Sequence, residues 1–221
     1  MKHIILSVLL FSAVQLSYSQ TKMSLGIYAG PTYSSFSFIN SEGVDQSELY
    51  ETSELKTFGI LLNIQKSKHT FRPSLQFRQG GSKATIGGTP MTWKLNYVDF
   101  QAAYLFELLN NDFVSLKLGA GGYAGYLAGG EQTIGTKSYS LNEQEVFSPI
   151  DFGVNGMVNT EFSITKTLNF FVEYQIGLGL SQIENDETEQ QTKNNYHAFK
   201  AGLSFNLNRY IIYIAPNTFQ Y

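Results

Sequence analysis

The most regular feature of the sequence is the alternation of apolar and polar residues, clearest in IDFGVNGMVNTEFSI at residues 150–164. A period of two residues predicts a β-strand with one apolar and one polar face. The two faces would carry Phe152, Val154, Val158 and Phe162 on one side and Asp151, Asn155, Asn159 and Glu161 on the other. A soluble sheet buries its apolar face, whereas a membrane barrel turns that face toward lipid.

The same alternation predicts eight strands along the chain. They cover residues 23–38, 55–65, 70–80, 92–108, 113–129, 150–164, 168–183 and 196–207. A tilted strand crosses the hydrocarbon layer of a membrane with about 9–11 residues. Each predicted strand is therefore long enough to cross a membrane.

The connections between the predicted strands alternate between short and long. Three are short (KSKH, LNND and TKT), and four are long and polar (INSEGVDQSELYETSE, GSKATIGGTPM, GEQTIGTKSYSLNEQEV and ENDETEQQTKNN). Short periplasmic turns and long external loops are typical of outer-membrane barrels. The sequence therefore predicts an all-β fold, an eight-stranded antiparallel up-and-down transmembrane β-barrel with both termini on the periplasmic side.

The N-terminus has the pattern of a secretory signal peptide. Lys2 precedes an apolar run from Ile4 to Val14, and small and polar residues follow that run. The run is too short for a transmembrane helix, which needs about 20 residues. We expect a cleaved signal peptide at residues 1–19 and a single barrel domain at 20–221. At the end of that domain, either the last strand continues through YIIYI or residues 208–221 form a periplasmic tail, and Pro216 disfavours a strand that runs to the end.

Composition helps to decide whether the apolar faces of the strands point inward or toward lipid. Charged residues make up 15% of the chain, aromatic residues 14%, and there are 20 glycines. The polar faces carry small residues and isolated charges, which suits the narrow lumen of an eight-stranded barrel. The apolar faces carry aromatic residues near the strand ends, as in membrane-interface girdles. The alternative is a soluble lipocalin-like barrel with its apolar faces inside and an apolar ligand bound there.

The chain resembles the PorT-like outer-membrane β-barrel family of Gram-negative bacteria. The resemblance rests on SLGIYAGPTYS, FRPSLQFRQGGSK, NYVDFQAAYLF, LKLGAGGYAGYL, IDFGVNGMVNTEF and VEYQIGLGLSQI. One departure is Gln101, where the family commonly has proline. The resemblance implies a barrel in the outer membrane, and PorT itself is associated with a protein secretion and gliding apparatus. These glycine and aromatic motifs have no catalytic content.

Charged residues on the polar faces are the main candidate site. Eight are expected to project into the lumen: Arg72, Arg78, Asp99, Lys117, Asp151, Glu161, Glu173 and Lys200. An unpaired buried charge is costly, so we expect ion pairs among them. We predict that Glu161 and Glu173 pair with Lys117, Arg78 or both. Such a network would either hold the barrel closed or act as a gate that opens when the pairs rearrange.

Other chemistry has weaker support in the sequence. Acidic residues gather in the first and last long loops, where they could bind divalent cations, but their spacing is not that of an EF-hand. They are Glu42, Asp45, Glu48, Glu51 and Glu54 in the first loop and the ENDETE segment in the last. His69 lies in a predicted periplasmic turn, whereas His197 shares the lipid-facing side with Phe199, near Ser181 of the adjacent strand. A lipid-modifying enzyme using His197 and Ser181 is an alternative to the non-catalytic barrel that we expect.

The composition also limits the partners and cofactors that we expect. The chain has no cysteine, which excludes disulfides and a thiol nucleophile, and its formal net charge of −3 argues against nucleic acid. We expect no cofactor and no metal centre. The expected protein is an exported monomer in contact with outer-membrane lipids and lipopolysaccharide. Its role would be structural, in surface interaction, or accessory to an envelope machine that supplies protein partners.

Overall fold

A computed structural model describes residues 21–141, 146–184 and 190–207. The predicted signal peptide at 1–19 and the tail at 208–221 lie outside the described residues. The strands are β1 Thr21–Ile39, β2 Tyr50–Lys66, β3 His69–Ile86, β4 Thr89–Asn110, β5 Val114–Ile134, β6 Lys137–Ser140, β7 Ile150–Ser163, β8 Leu168–Gly179 and β9 Gln191–Asn206. A short 3-10 turn occupies Ser47–Leu49. In the described ranges, no helix is long and apolar enough to cross a membrane.

Eight of the strands form a closed antiparallel ring. The order around the ring is β1-β2-β3-β4-β5-β7-β8-β9, and β9 pairs back onto β1. Strand β6 only folds back along the outer end of β5. Closure gives the interior backbone groups partners without leaving a free sheet edge, as a membrane requires. The predicted fold class is confirmed, and the last three predicted strands correspond to β7, β8 and β9.

The apolar face of the strands points away from the ring. Phe58 and Phe100 are each 55% exposed, and Phe199 is 53% exposed. In β7, the exposed side chains are Phe152, Val154, Val158 and Phe162, and the buried ones are Asp151, Asn155, Asn159 and Glu161. A surface with this much exposed apolar area is stable only against lipid. The alternative of a soluble lipocalin-like barrel is therefore wrong.

The strands extend further past the apolar belt, on the side of the long loops, than the sequence predicts. Residues 81–91, predicted as a loop, instead continue β3 and β4 around a two-residue turn at Gly87 and Gly88. These glycines have φ values of 58° and 80°, which favour glycine in a tight hairpin. The alternation is interrupted at Gly80 and Gly81, so the sequence alone gives no sign that pairing continues. The β3–β4 hairpin consequently stands out beyond the membrane-spanning part.

Candidate functional site

All eight predicted luminal charges lie inside the ring with buried side chains. They are Arg72, Arg78, Asp99, Lys117, Asp151, Glu161, Glu173 and Lys200, and none is more than 9% exposed. A ninth buried charge, Glu107, was not among the predicted residues. It continues the inward-facing positions of β4 that contain Asp99, so the alternation of that strand could have revealed it. The charges form three layers along the barrel axis.

The outer layer is centred on Arg78 of β3. Its Nε donates to Asp99 Oδ2 at 2.7 Å, and its Nη2 donates to Asp151 Oδ2 at 2.8 Å. All three side chains are fully buried. Three aromatic rings surround the guanidinium with their centroids 4.7, 5.1 and 4.9 Å from its carbon, those of Tyr97, Tyr123 and Tyr196. Two carboxylates and the electron-rich ring faces together stabilise this single buried cation.

Neighbouring glycines make room for this aromatic cage. A Cβ at Gly177 of β8 would lie 2.1 Å from the Tyr196 ring, and a Cβ at Gly153 of β7 would lie 2.7 Å from the Tyr123 hydroxyl. Any larger residue at Gly177 would displace the ring from Arg78. The glycines of the polar faces therefore define where the tyrosines lie across the narrow lumen.

The middle layer contains two cations and one carboxylate. Glu173 of β8 accepts hydrogen bonds from Arg72 of β3, from Lys200 of β9 at 3.4 Å, and from Asn159 at 3.2 Å. The predicted pairing of Glu173 with Lys117 or Arg78 is therefore wrong. Lys200 lies directly opposite Glu173 in the β8–β9 register, and Arg72 reaches it across the lumen. The β8–β9 register determines the contact with Lys200, and closure of the ring determines the contact with Arg72; alternation along a single strand contains neither.

The periplasmic layer contains the predicted pair of Lys117 and Glu161. Lys117 Nζ lies 3.0 Å from Glu161 Oε2, while Asn169 and Ser204 donate to Glu161 Oε1 at 2.6 and 2.9 Å. Glu107 lies nearby, but no cation among the described residues approaches it within 4.0 Å. Among the described residues, Glu107 is therefore a carboxylate of this layer without a cationic partner.

Hydrogen bonds connect the outer and middle layers. Tyr28 donates to Gln76 Oε1 at 2.8 Å, and Gln76 Nε2 donates to Asp99 Oδ2 at 2.9 Å. The Lys200 ammonium lies 4.8 Å from the centroid of the Tyr28 ring. These hydrogen bonds and this cation–π contact therefore join the outer and middle layers into one polar network.

The two ends of the lumen differ. An apolar cluster, here called the outer cap, fills the end on the side of the long loops. It comprises Phe36, Ala84, Trp93, Leu95, Tyr97, Leu141, Phe147 and Ile183. Leu141, Phe147 and Ile183 come from the connections after β6 and β8, so folding of these connections over the mouth completes the cap. Alternation does not reveal this cluster, because the strand residues of the cap lie on the same inward side as the charges.

The periplasmic end is an open polar cavity of about 440 Å³, here called the vestibule. Glu107, Ser115, Lys117, Glu161 and Asn169 are among the residues that line it. Lys22, Asp112 and Lys166 also contribute to its walls. The lumen is therefore closed toward the outside and accessible from the periplasm.

The residues of the enzyme alternative do not come together. His197 is exposed on the outward face, with its Nδ1 2.7 Å from the Tyr174 hydroxyl. Ser181 is buried on the luminal side and donates to Asp151 Oδ1 at 3.0 Å. The wall of the barrel separates the two side chains, so the predicted proximity is wrong. His69, the other histidine of the described chain, is also exposed and contacts the Tyr104 hydroxyl.

The first acidic loop forms local hydrogen bonds. Asp45 Oδ1 accepts from the Ser47 hydroxyl at 2.6 Å and from the Ser47 amide at 2.9 Å, and these bonds lower the pKa of the Asp45 carboxyl. Glu42, Glu48, Glu51 and Glu54 are also in or next to this loop. In the part of the chain that the structure describes, no three His, Asp or Glu residues converge as metal ligands. Most of the ENDETE segment lies outside the described residues.

A closed ring of eight antiparallel strands, with an apolar outer surface and a charged lumen, defines an outer-membrane β-barrel protein. Solved structures have the same architecture. A major outer-membrane protein of Thermus thermophilus matches with a TM-score of 0.52 and 10% identity, over 84% of this chain and 99% of that one.

Two further barrels are similar to a lesser degree. Neisserial surface protein A matches with a TM-score of 0.49 and 11% identity, over 82% of this chain and 96% of that one. Ail, the attachment invasion locus protein of Yersinia pestis, matches with a TM-score of 0.45 and 11% identity, over 83% and 97%. At such identities the likeness is one of fold. No family model matches the chain, and no curated protein matches its sequence.

Proposed function

We propose that this protein is a sealed, non-catalytic outer-membrane scaffold that acts through contacts at its ends and on its outer surface. The observation that carries the proposal is the filled lumen. Three layers of buried charges and the outer cap leave little space for a solute, as expected for an eight-stranded barrel. The ring closes within one chain, which supports a monomer.

Planar-bilayer recording tests the sealed lumen. The refolded protein should give no stable open-channel steps, because passage would require the outer cap and the Arg78 layer to separate together. An open porin of larger strand number, recorded in the same bilayers, serves as the positive control for channel steps. Reproducible conductance steps in the parent protein would contradict the proposal.

The surface role in this proposal is assigned to the strand ends beyond the apolar belt. The β3–β4 hairpin and the β5–β6 hairpin project on the same side as the outer cap. Replacing residues 85–90 with a minimal Asn-Gly turn should leave the barrel folded and abolish surface contacts made through the first hairpin. A pull-down from intact cells with the parent and shortened proteins would measure the loss, and identical captures would contradict the assignment.

The lipopolysaccharide partner in this proposal is assigned to Lys56 and Lys94. Both are exposed on the outward face, next to Gln79, and they border one shallow groove at the outer edge of the apolar belt. An ammonium group at this level is suited to the phosphates of lipopolysaccharide. Reversing both charges with Lys56→Glu and Lys94→Glu should reduce co-purified lipid phosphate, whereas Lys68→Glu in the exposed β2–β3 turn should not. Equal phosphate in both variants would contradict this partner.

An accessory role in an envelope machine is the second candidate function. It is supported by the resemblance to PorT-like barrels and by a vestibule that opens on the periplasmic side. Cross-linking from a photoreactive residue at Ser163, on the vestibule wall, should capture a periplasmic or membrane protein in the native host. The same probe at Leu75, exposed on the apolar outer surface, is the matched control. Capture at neither position would argue against a protein partner.

A further inference from the structure

The vestibule contains an unusual carboxylate. Glu107 on β4 is more than nine-tenths buried, and no cation among the described residues lies within 4.0 Å of it. Its Oε2 accepts hydrogen bonds from Gln65 Nε2 at 3.1 Å and from Ser115 Oγ at 3.2 Å. No hydrogen bond reaches its Oε1 from the described residues. Glu107 borders the open vestibule, so water can hydrate its free oxygen, but no described residue supplies a compensating positive charge within 4.0 Å.

The surrounding charges do not supply that positive charge. Lys117, the nearest luminal cation, points to Glu161 at 3.0 Å and more weakly to Gln65 at 3.5 Å. Glu161 is in turn held by Asn169 and Ser204. Lys117 is therefore committed to another carboxylate. Lys22 and Lys166 also line the cavity, but neither lies within 4.0 Å of Glu107.

The cavity is large enough for a ligand side chain. Its volume of about 440 Å³ is at the lower end of the range of small-ligand pockets, and it opens to the periplasm. Most of its lining is polar, which favours a hydrated, charged group over an apolar one. The vestibule therefore combines a free carboxylate oxygen, available space and an entrance.

We propose that the vestibule binds a primary ammonium group, such as a lysine side chain or a free amine, carried by a periplasmic molecule. The ammonium would pair with Glu107 Oε1. A guanidinium group fits less well, because bidentate pairing needs both carboxylate oxygens and Oε2 already accepts two hydrogen bonds. A divalent cation also fits less well, because it needs about six or more oxygen ligands and the described residues contain no cluster of three acidic or histidine ligands.

Calorimetry on the refolded full-length protein tests this proposal. The probe is the blocked peptide acetyl-Gly-Lys-Gly-amide, and the comparison peptides carry acetyl-lysine or arginine in place of lysine. The lysine peptide should bind at least about tenfold more tightly than the acetyl-lysine peptide, because only the charged group can pair with Glu107. It should also bind more tightly than the arginine peptide. Absence of heat with the lysine peptide, or equal heats for all three peptides, would overturn the proposal.

Two variants identify the residue responsible. Glu107→Gln keeps the shape and the hydrogen-bonding capacity of the side chain, and it should reduce lysine-peptide affinity at least about tenfold. Glu48→Gln removes a carboxylate from the exposed first loop and should leave affinity unchanged. Heat-modifiable gel mobility shows whether each variant forms the folded barrel. Equal affinity in folded Glu107→Gln and parent proteins would overturn the assignment to Glu107.

A third variant tests whether the chain supplies its own cation. Arg209 belongs to the segment after β9 and lies outside the described residues. If binding of the lysine peptide is absent in the parent protein but appears in Arg209→Ala, the vestibule accommodates its own chain and the proposal fails. If the parent protein and Arg209→Ala bind the peptide equally, the external ammonium site is supported.

Discussion

The two ends of the lumen are built from the same strands, but one end is apolar and closed whereas the other is polar and open to solvent. On β4, the inward positions Leu95, Tyr97 and Asp99 lie at the end that the outer cap covers. Leu105 and Glu107, on the same side of the same strand, lie at the end that opens into the vestibule. The strand periodicity is identical at both ends. The difference arises from the connections after β6 and β8, which contribute Leu141, Phe147 and Ile183 to the cap.

The comparison shows what determines the cost of a buried charge in this barrel. Arg78 has no access to solvent, so two carboxylates and three aromatic rings must replace its hydration. Lys117 and Glu161 border the vestibule, where solvent can hydrate either residue if its partner is removed. Removing the cation of an ion pair should therefore lower the free energy of unfolding more in the Arg78 layer than beside the vestibule.

The largest expected difference concerns access by reagents from solution. The chain has no native cysteine, so single cysteines can be compared directly. In detergent micelles both mouths face buffer, and Ser115→Cys in the vestibule should react with a water-soluble maleimide at least about 100-fold faster than Ser34→Cys. Ser34 is fully buried and lies two residues before the cap residue Phe36. Similar labelling rates would mean that the cap does not close the lumen.

Arg78→Met should have the largest effect on stability. Removing the guanidinium leaves Asp99 and Asp151 buried without a cation, which should cost about 3–5 kcal/mol in the free energy of unfolding. Urea-induced unfolding in micelles, followed by tryptophan fluorescence from the single Trp93, measures the change. The matched change at the open end, Lys117→Met, should cost only about 1–2 kcal/mol because Glu161 can be hydrated. Equal losses would contradict the difference between the two layers.

The triple variant Arg78→Met, Asp99→Asn and Asp151→Asn separates pairing from packing. It removes the charges together, and replacing a whole buried ion cluster is often close to neutral. It should therefore recover most of the stability that Arg78→Met loses. Failure to recover would indicate that the shape of Arg78 within the cage of Tyr97, Tyr123 and Tyr196 matters more than its charge.

Leu95→Ala and Leu105→Ala compare apolar packing at the two ends. Both leucines are completely buried on the inward side of β4. Leu95→Ala should cost about 2–5 kcal/mol in the free energy of unfolding. The surrounding cap is large, so loss of the leucine side chain leaves a cavity there. Leu105→Ala should be at the low end of that range, since its small cluster includes the flexible Met157, which can move into the space. The same urea titration measures both, and a larger loss at Leu105 would reverse the comparison.

Much of the barrel could be predicted from the sequence, because alternation is a local property. The period of two residues was sufficient to place Arg72, Arg78 and Lys117 on the inward side and Phe152 toward lipid. Pairing across the lumen was harder to predict. Lys117 and Glu161 belong to paired strands β5 and β7, whereas the contact between Arg72 and Glu173 joins β3 to β8 across the closed ring.

The outer cap could not be predicted for a related reason. Its strand residues lie at the same inward-facing positions of the alternation as the charges. The sequence pattern therefore does not distinguish a polar from an apolar section of the lumen. Ile183 was predicted to end the strand 168–183, but β8 ends at Gly179 and Ile183 enters the cap from the connection that follows. Residues 81–91 resemble a loop in composition, and only their cross-strand pairing shows that they extend the β3–β4 hairpin. In each case the missing information is a contact between residues that are distant along the chain.

The smallest expected effect compares two carboxylates within the open end. Glu107→Gln should change the free energy of unfolding by less than about 0.5 kcal/mol, since the amide keeps the hydrogen bonds from Gln65 or Ser115 and removes an unpaired charge. Glu161→Gln should cost about 1–2 kcal/mol, because Lys117 loses its carboxylate and solvent from the vestibule replaces only part of that interaction. Urea midpoints at unchanged m-value measure both. If Glu107→Gln were as costly as Glu161→Gln, Glu107 would already have a cationic partner within the chain. The difference between the unpaired Glu107 and the paired Lys117 and Glu161 would then not exist.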